Sequence, residues 1–168
     1  MCPPRGSTYA LKGQTPVLEV ADSKHYAHLS VSVHITSEGA LNYEVRSSSF
    51  NGVAMVRFLK KTFTGRKRKK HLMIWDRATI HTCQAVKDFL EQEAANQQRV
   101  WLEVLPPYSP ELNPTELLWA YLKKHKLANM ACKTLQELRQ KTIVALEDIK
   151  EDKQLIKAFF KHPKVGLM

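Results

Sequence analysis

The feature that most constrains the fold is a short, continuous apolar run that ends on a carboxylate, His-Leu-Met-Ile-Trp-Asp at residues 71–76. Its length and its lack of polar alternation are typical of a strand buried on both faces. A helical pattern follows from about Thr82, and another strand is predicted at 100–105. The inward positions of that helix are Val86, Phe89 and Leu90. A strand, a helix and a strand in this order predict a parallel crossover and an α/β fold.

The chain before this run shows the alternation of half-buried strands. Apolar residues occupy every second position over 29–35 and again over 41–45, and Ser37-Glu38-Gly39 separates the two stretches. We therefore predict an antiparallel hairpin over 26–47. Asn51 is suited to cap a helix that ends before Gly65. The apolar positions predicted for this helix are Val53, Val56, Leu59 and Phe63.

The chain after the crossover is predicted to be helical. A proline-rich loop over 106–114 leads into a helix that starts at Asn113-Pro114 and continues to about Lys126. Thr134 and Glu137 form a capping-box pattern for the next helix, and a short last helix is predicted around 155–160. The inward positions of the helix after Thr134 are Leu135, Leu138, Val144 or Ala145, and Ile149.

The size and composition exclude several classes of protein. A chain of 168 residues with 43% hydrophobic residues predicts a single globular domain over 1–168 with a core of its own. No apolar stretch reaches the length of a bilayer span, and the first residues lack the apolar run of a secretion signal. Three widely spaced cysteines argue against a disulfide framework. These features predict no membrane partner and a cytoplasmic location.

The positive charge indicates a polyanionic partner. Lysine and arginine total 26 against 16 acidic residues, which gives a net charge of +10. A basic loop is predicted at 65–71, immediately after Lys60 and Lys61. This loop is either a solvated surface or a contact with the phosphates of double-stranded DNA. The candidate nucleic-acid-binding residues are Arg66, Lys67, Arg68, Lys69 and Lys70, and Lys123 in a second basic group at 123–126.

Two carboxylates are candidate metal ligands. Asp76 ends the strand at 71–76, and Glu116 falls in the first turn of the helix that starts at Asn113-Pro114. Both positions are expected beyond the carboxyl ends of parallel strands, where α/β folds place their ligand sites. Carboxylate oxygens suit Mg²⁺, and a metal pair can assist displacement at a phosphodiester. The alternatives are that Glu116 caps its helix together with Asn113 and that Asp76 only starts a turn.

Other candidate residues favour structural roles. His81 and Cys83 are two residues apart without a second pair of ligands, so a structural histidine is favoured over a metal ligand. Apolar side chains of the helix after Pro114 are expected in the core; these are Leu118, Trp119 and Leu122. The acidic residues near the C-terminus are expected on a solvated helical face; these are Glu147, Asp148, Glu151 and Asp152.

Two long motifs resemble a known family. The run Leu105–Trp119 (LPPYSPELNPTELLW), followed by Leu122-Lys123, resembles the last catalytic motif of bacterial insertion-sequence transposases in the mariner superfamily. The segment Met73–His81 resembles the second motif of that family, in which a histidine follows a strand-end aspartate by five residues. Lys12–Pro16 and the stretch from Leu127 to Leu138 are similar too, so the resemblance covers nearly the whole chain.

The resemblance implies a ribonuclease-H-like α/β fold, with a mixed sheet flanked by helices. It implies that three acidic residues bind two Mg²⁺ or Mn²⁺ ions, which support cleavage at transposon ends and joining of the freed 3′ hydroxyl to target DNA. Asp76 matches the second acid of this DDE triad, and Glu116 matches the third. Both would act as catalytic metal ligands in a protein associated with the bacterial nucleoid.

Departures from the family pattern shape the functional hypotheses. The first acid of the family lies upstream of the segment matched by Lys12–Pro16, and Asp22 is a poor substitute for it. We therefore expect a chain that lacks its first strand and the family's helix-turn-helix, incomplete at its N-terminus. Arg77 replaces the usual asparagine, and the 39 residues between Asp76 and Glu116 suggest a surface loop within 91–99.

Two functions from different classes remain open from the sequence. The first is a transposase catalytic domain that requires an upstream strand or another chain to supply the first acid. The second is a catalytically inactive fragment that binds DNA or a full-length transposase. The expected partners are transposon-end and target DNA, and either a second copy or an upstream transposase fragment. An unrelated metal phosphatase with Asp76 as nucleophile would require motifs that the sequence lacks.

Overall fold

This computed structural model describes residues 28–63, 70–97, 100–130, 132 and 134–162, in which a mixed series of strands and helices is followed by helices alone. The strands are β1 (Ser30–Ile35), β2 (Leu41–Arg46), β3 (His71–Trp75) and β4 (Val100–Val104). The α-helices are α1 (Gly52–Phe63), α2 (Gln84–Gln97), α3 (Pro114–Tyr121), α4 (Leu135–Glu151) and α5 (Lys153–Phe160). A 3₁₀ turn (Pro110–Leu112) precedes α3, and a π-helical turn (Leu122–Lys126) follows it.

The chain divides into two compact units. Among the described residues, the first unit contains β1, β2, the chain from Leu117 through the π-helical turn, α4 and most of α5. The second unit contains α1, β3, α2, β4 and the chain up to Glu116. Asp76 and Glu116 therefore belong to the same unit.

The first unit is organised around the predicted hairpin. β1 and β2 pair antiparallel, with Val33 opposite Tyr43 in the register, so the hairpin prediction is confirmed for the described residues. The turn closes with hydrogen bonds from the amides of Thr36 and Gly39, which the carbonyls of Ala40 and Thr36 accept at 2.9 Å each. Gly39 has a φ of 89°, a conformation that residues with a side chain rarely adopt.

The predicted parallel crossover forms the centre of the second unit. β3 and β4 pair in parallel, with His71 opposite Val100 and Trp75 opposite Val104. Side chains from β3 pack with both flanking helices in one core; its buried members are Met55, Phe58, Leu59, Met73, Trp75, Val86, Phe89 and Leu90. Burying each large side chain of this kind stabilises the folded state by about 1.5–3 kcal/mol.

The prediction that both faces of β3 are buried is wrong for the described residues. Met73 and Trp75 are buried, whereas Leu72 is 61% exposed. The crossover helix covers the face that carries Met73 and Trp75, because successive side chains of a strand point to opposite faces. A continuous apolar run does not by itself show that both faces have packing partners.

The helix after Asn51 forms as predicted, but with a different buried face. The Asn51 side-chain oxygen accepts a hydrogen bond of 2.9 Å from the amide of Ala54 and caps α1. Val53 was expected to face inward, yet it is 76% exposed. The buried residues of α1 are Ala54, Met55, Phe58, Leu59 and Thr62. At about 3.6 residues per turn this set lies on the side of the helix opposite Val53, so the apolar positions chosen from the sequence marked the wrong face.

The surface loop expected within 91–99 is mostly helix. α2 continues to Gln97, and residues 98 and 99 lie outside the described residues. The stretch is rich in glutamate, glutamine and alanine, which favour helix even when no apolar face directs it. Its polarity was therefore the wrong signal for a loop.

The C-terminal helices follow their predicted caps and inward positions. The Thr134 hydroxyl accepts a hydrogen bond of 3.1 Å from the amide of Glu137 at the start of α4. Ala145 is buried and Val144 is 60% exposed, which decides between the two alternatives. The acidic residues lie on a solvated surface as predicted, since Asp148, Glu151 and Asp152 are exposed. Two of the four also have partners: Asp148 pairs with Lys126 at 3.0 Å, and Glu147 bonds to the hairpin.

Candidate active site

Asp76 occupies the carboxyl end of β3, where the sequence placed it. The amide of Leu105 donates a hydrogen bond of 2.9 Å to the carbonyl of Trp75, which continues the β3–β4 pairing to the last residue before Asp76. The chain after Leu105 therefore leaves the sheet at the same edge as Asp76. That chain leads, through the proline-rich loop, to Glu116.

One oxygen of the Asp76 carboxylate is held by two donors. Oδ1 accepts a hydrogen bond of 3.0 Å from the amide of Ala78 and one of 2.8 Å from Nδ1 of His81. The side chain of Asp76 is 52% exposed. No side chain or amide within the described ranges hydrogen-bonds Oδ2. The first of these contacts is the turn that the sequence offered as the alternative role for Asp76.

His81 is held in place by its neighbours. Its ring stacks on that of Trp75, with centroids 4.5 Å apart and planes 2° apart, and its amide donates a 2.8 Å hydrogen bond to the carbonyl of Ala78. Trp75 itself is buried in the core of the second unit. The sequence favoured a structural role for His81, and these contacts agree with that choice. Arg77, in the same turn, is exposed.

Glu116 lies in the first turn of α3 with an exposed side chain. The side-chain oxygen of Asn113 accepts hydrogen bonds from the amide and hydroxyl of Thr115, at 3.0 and 2.6 Å. The amide of Asn113 donates to the carbonyl of Pro110 at 3.0 Å, so it is not the partner that a reciprocal capping box requires. The Asn113–Glu116 side-chain cap is thus replaced by an Asn113–Thr115 cap, and no described residue hydrogen-bonds the Glu116 carboxylate.

The sequence also matches a family model over residues 2–139, under the description DDE superfamily endonuclease. That match covers most of the chain, and it includes both Asp76 and Glu116. The chain belongs to the DDE superfamily endonuclease family. No curated protein matches it.

Solved structures similar to this DDE domain share its fold. A crystal structure of the mariner Mos1 paired-end complex with Mg aligns at 22% identity and a TM-score of 0.64, covering 95% of this chain and 47% of that one. The Mos1 strand transfer complex aligns at 21% identity and a TM-score of 0.56, covering 93% and 50%. The Mos1 transposase paired-end complex with left transposon end aligns at 22% identity and a TM-score of 0.54, covering 93% and 50%. The chain spans about half the length of these proteins, and the ribonuclease-H-like α/β fold is confirmed.

The donor set of the DDE domain suits a hard divalent cation only in part. Asp76 and Glu116 offer carboxylate oxygens on rigid elements, and both are exposed to solvent. Across the described ranges, no group of three or more histidine, cysteine, aspartate or glutamate side chains is placed to hold a metal ion. Lys12–Pro16 and Asp22 lie outside those ranges. The two carboxylates fit Mg²⁺ or Mn²⁺ chemically but do not make a complete triad.

The predicted DNA-binding residues are divided between described and undescribed segments. Arg66, Lys67, Arg68 and Lys69 lie outside the described residues, as does most of the predicted loop at 65–71, whose last residue begins β3. Lys70 is exposed, and its Nζ lies 5.7 Å from the centroid of the Trp101 ring. Lys123 is exposed in the π-helical turn of the first unit.

Two features of this region were not predicted from the sequence. The stack of His81 on Trp75 joins residues six positions apart through a turn, and only the Asp-to-His spacing of the second motif hinted at it. The contact between Lys70, which precedes β3, and Trp101 of β4 had no local signal in the sequence. No helix among the described residues is long and apolar enough to cross a membrane.

Proposed function

We propose that this DDE domain catalyses DNA transposition as a member of the bacterial insertion-sequence branch of the mariner superfamily. Its reaction would be metal-dependent cleavage of phosphodiester bonds at transposon ends, followed by strand transfer into target DNA. The observation that carries the proposal is the pair of exposed carboxylates in one unit, Asp76 after β3 and Glu116 in α3, within the two motifs of the family.

The metal site is proposed to be formed by Asp76, Glu116 and a third acidic residue. Mg²⁺ or Mn²⁺ bound there would supply activation of the attacking oxygen and stabilisation of the leaving oxygen. Asp76 presents one oxygen that no described residue hydrogen-bonds, and the Glu116 carboxylate is likewise unpaired within the described ranges. Both side chains can therefore exchange water for a cation without breaking a contact seen in the structure.

The DNA partner is proposed to contact the basic residues. A net charge of +10 supports an affinity for phosphates that depends on salt. The proposed contacts with transposon-end and target DNA are Arg66, Lys67, Arg68, Lys69, Lys70 and Lys123.

Residues 1–168 would act as a single DDE domain in the bacterial cytoplasm at the nucleoid. It would work with a second copy or with an upstream transposase fragment.

The second candidate function is a catalytically inactive domain that binds DNA or a full-length transposase. This alternative is favoured by the finding that the described residues contain no group of three or more histidine, cysteine, aspartate or glutamate side chains that could hold a metal ion. Binding and interference do not require a complete metal site, so the basic residues alone would be sufficient for it.

A nicking assay on duplex DNA with Mg²⁺ or Mn²⁺ separates the two functions. The chain is compared with an extended form that carries additional upstream transposase sequence, and each is tested with and without Glu116→Ala. Cleavage by the extended form that is lost in Glu116→Ala supports the transposase. Absence of cleavage by both forms, with DNA binding retained, supports the inactive binding domain.

A further inference from the structure

We propose that His81 is a positioning residue that fixes the Asp76 carboxylate so that it offers a cation one oxygen, Oδ2. The proposal rests on the proposed role of Asp76 as a metal ligand. It assigns to His81 a function that goes beyond filling space in the turn, because its contact reaches the carboxylate itself.

Oδ1 of Asp76 is fully engaged in hydrogen bonds. The Nδ1 proton of His81 and the amide of Ala78 converge on this one oxygen, at 2.8 and 3.0 Å. A carboxylate oxygen with two donors has little capacity left for a cation, since both of its in-plane lone pairs are engaged. Oδ2 is the remaining oxygen for which no described residue provides a donor.

The ring of His81 is held in a fixed orientation. It lies parallel to the ring of Trp75 at 4.5 Å, and Trp75 is anchored in the buried core of the second unit. Nδ1 also lies 3.3 Å from the backbone carbonyl of Asp76. The stack limits tilting of the ring, and the two acceptors define its in-plane rotation. The orientation of the carboxylate is thereby coupled to the hydrophobic core.

These contacts require one particular tautomer of His81. Both acceptors of Nδ1 are oxygens, so a neutral His81 must carry its proton on Nδ1 and not on Nε2. This tautomer is a property of the chain without metal, and it can be measured independently of any reaction.

The single available oxygen of Asp76 affects which cation the site prefers. Small octahedral ions such as Mg²⁺ and Mn²⁺ accept a carboxylate through one oxygen, whereas Ca²⁺ often takes both oxygens of a carboxylate. A carboxylate whose Oδ1 is already engaged is therefore matched to the smaller ions. The positioning of Asp76 by His81 would favour Mn²⁺ over Ca²⁺ at this site.

The experiment compares two substitutions that separate the donor from the stack. His81→Phe keeps an aromatic ring for Trp75 but has no donor, and His81→Asn keeps a donor near the position of Nδ1 but cannot stack. Affinity for Mn²⁺ is measured with the full chain from the electron paramagnetic resonance signal of the free ion. We expect His81→Phe to weaken Mn²⁺ binding by about 10–100-fold, and His81→Asn to retain most of the wild-type affinity.

Ca²⁺ binding, nitrogen NMR and Asp76→Asn serve as controls for the role of His81. Wild-type affinity in His81→Phe, or a loss of affinity in His81→Phe that is equal for Mn²⁺ and Ca²⁺, would overturn the positioning role. Nitrogen NMR of the metal-free chain under alkaline conditions should show the Nδ1–H tautomer, and the Nε2–H tautomer would likewise overturn it. Unchanged Mn²⁺ binding in Asp76→Asn would instead refute the proposed function, and the NMR result would still decide whether His81 donates to Asp76.

Discussion

The hydroxyl of Tyr43 in β2 donates a hydrogen bond of 2.6 Å to Oε1 of Glu147 in α4, across 104 positions of sequence. Lys150 donates to both oxygens of the same carboxylate, at 3.0 and 2.8 Å. Burial and the Glu147 carboxylate raise the pKa of Tyr43 to about 12, and Lys150 and Tyr43 lower the pKa of Glu147. This contact joins the hairpin to α4.

We predict that Tyr43→Phe lowers the free energy of unfolding by about 1 kcal/mol near neutral pH, because it removes one hydrogen bond to a charged acceptor at a partly exposed site. The raised pKa stabilises the protonated phenol, so the contribution is complete below pH 10.0 and is lost as the pH rises towards about 12. The lowered pKa of Glu147 gives a contribution that is lost as the pH falls through its folded-state value.

Urea denaturation of wild type and Tyr43→Phe over a pH series tests this prediction. The difference between the two proteins should shrink from pH 10.0 to about 12. Tyr108→Phe is the matched control, since the Tyr108 side chain is fully exposed and its substitution should leave stability unchanged. A difference that stays constant over that alkaline range would show that the hydrogen bond is not the source of the effect.

Gly39 is predicted to tolerate no side chain. Its φ is 89°, and a Cβ added there would lie 2.7 Å from the backbone carbonyl oxygen of Lys153. Gly39→Ala should destabilise the protein by at least about 1–3 kcal/mol, because the strained backbone and the contact with a main-chain atom add together. The midpoint of thermal unfolding, followed by circular dichroism, measures this effect.

Gly52→Ala is the comparison for this substitution. A Cβ at Gly52 would lie 2.8 Å from Sγ of Cys83, which belongs to a side chain that can rotate away. The smaller loss expected for Gly52→Ala should be relieved in part by adding Cys83→Ala. A loss in Gly52→Ala as large as that in Gly39→Ala would contradict the distinction between backbone and side-chain contacts.

We predict that Mn²⁺ raises the unfolding temperature of the wild-type protein and that Asp76→Asn or Glu116→Gln removes this increase. A ligand that binds only the folded state stabilises it in proportion to the logarithm of its concentration above the dissociation constant. Differential scanning fluorimetry over an Mn²⁺ titration provides the measurement.

The controls are carboxylates of similar exposure outside the proposed site. Glu111 lies in the 3₁₀ turn before α3, and Asp88 lies on α2. Glu111→Gln and Asp88→Asn should keep the full response to Mn²⁺. An equal response in all five proteins would remove Asp76 and Glu116 from the metal site.

The basic residues are predicted to contribute to duplex binding through phosphates. Replacing Arg66, Lys67, Arg68, Lys69 and Lys70 by serine should weaken binding and reduce the slope of log affinity against log salt by up to about 4.5, at roughly 0.9 per phosphate contact. Lys123→Ser should reduce this slope by about 0.9. Fluorescence anisotropy with a labelled duplex at several salt concentrations measures both.

Lys87 provides the control for charge alone, because it is exposed on α2 and is not a proposed contact. Lys87→Ser should leave the slope unchanged. If the variant with all five residues at 66–70 replaced shows the same salt slope as Lys87→Ser, the segment around Gly65 is a solvated surface. This is the alternative that the sequence left open.

Local patterns predicted the elements that are specified by nearby residues. The alternation before and after Gly39 predicted the hairpin, and Asn51 and Thr134 marked the starts of two helices through their own side-chain hydrogen bonds. The apolar run at 71–76 predicted β3 and the position of Asp76 at its carboxyl end. These features depend on residues within a few positions of one another, so the sequence determines them directly.

Other features depend on residues that are distant in sequence. The sequence did not predict which face of α1 is buried or that Glu147 bonds to Tyr43. Each depends on which surfaces meet in the folded chain, and a helical or alternating pattern does not contain that information.

The candidate site shows the same division. The sequence by itself determined the identity and order of Asp76, His81 and Glu116, together with the strand and the helix start that carry the two acids. Only the tertiary structure decided that His81 stacks on Trp75 and binds Oδ1, and that Asn113 caps through Thr115 and leaves Glu116 unengaged within the described residues. The physical reason is that hydrogen bonds and ring stacking depend on orientations and distances that are set when the core packs.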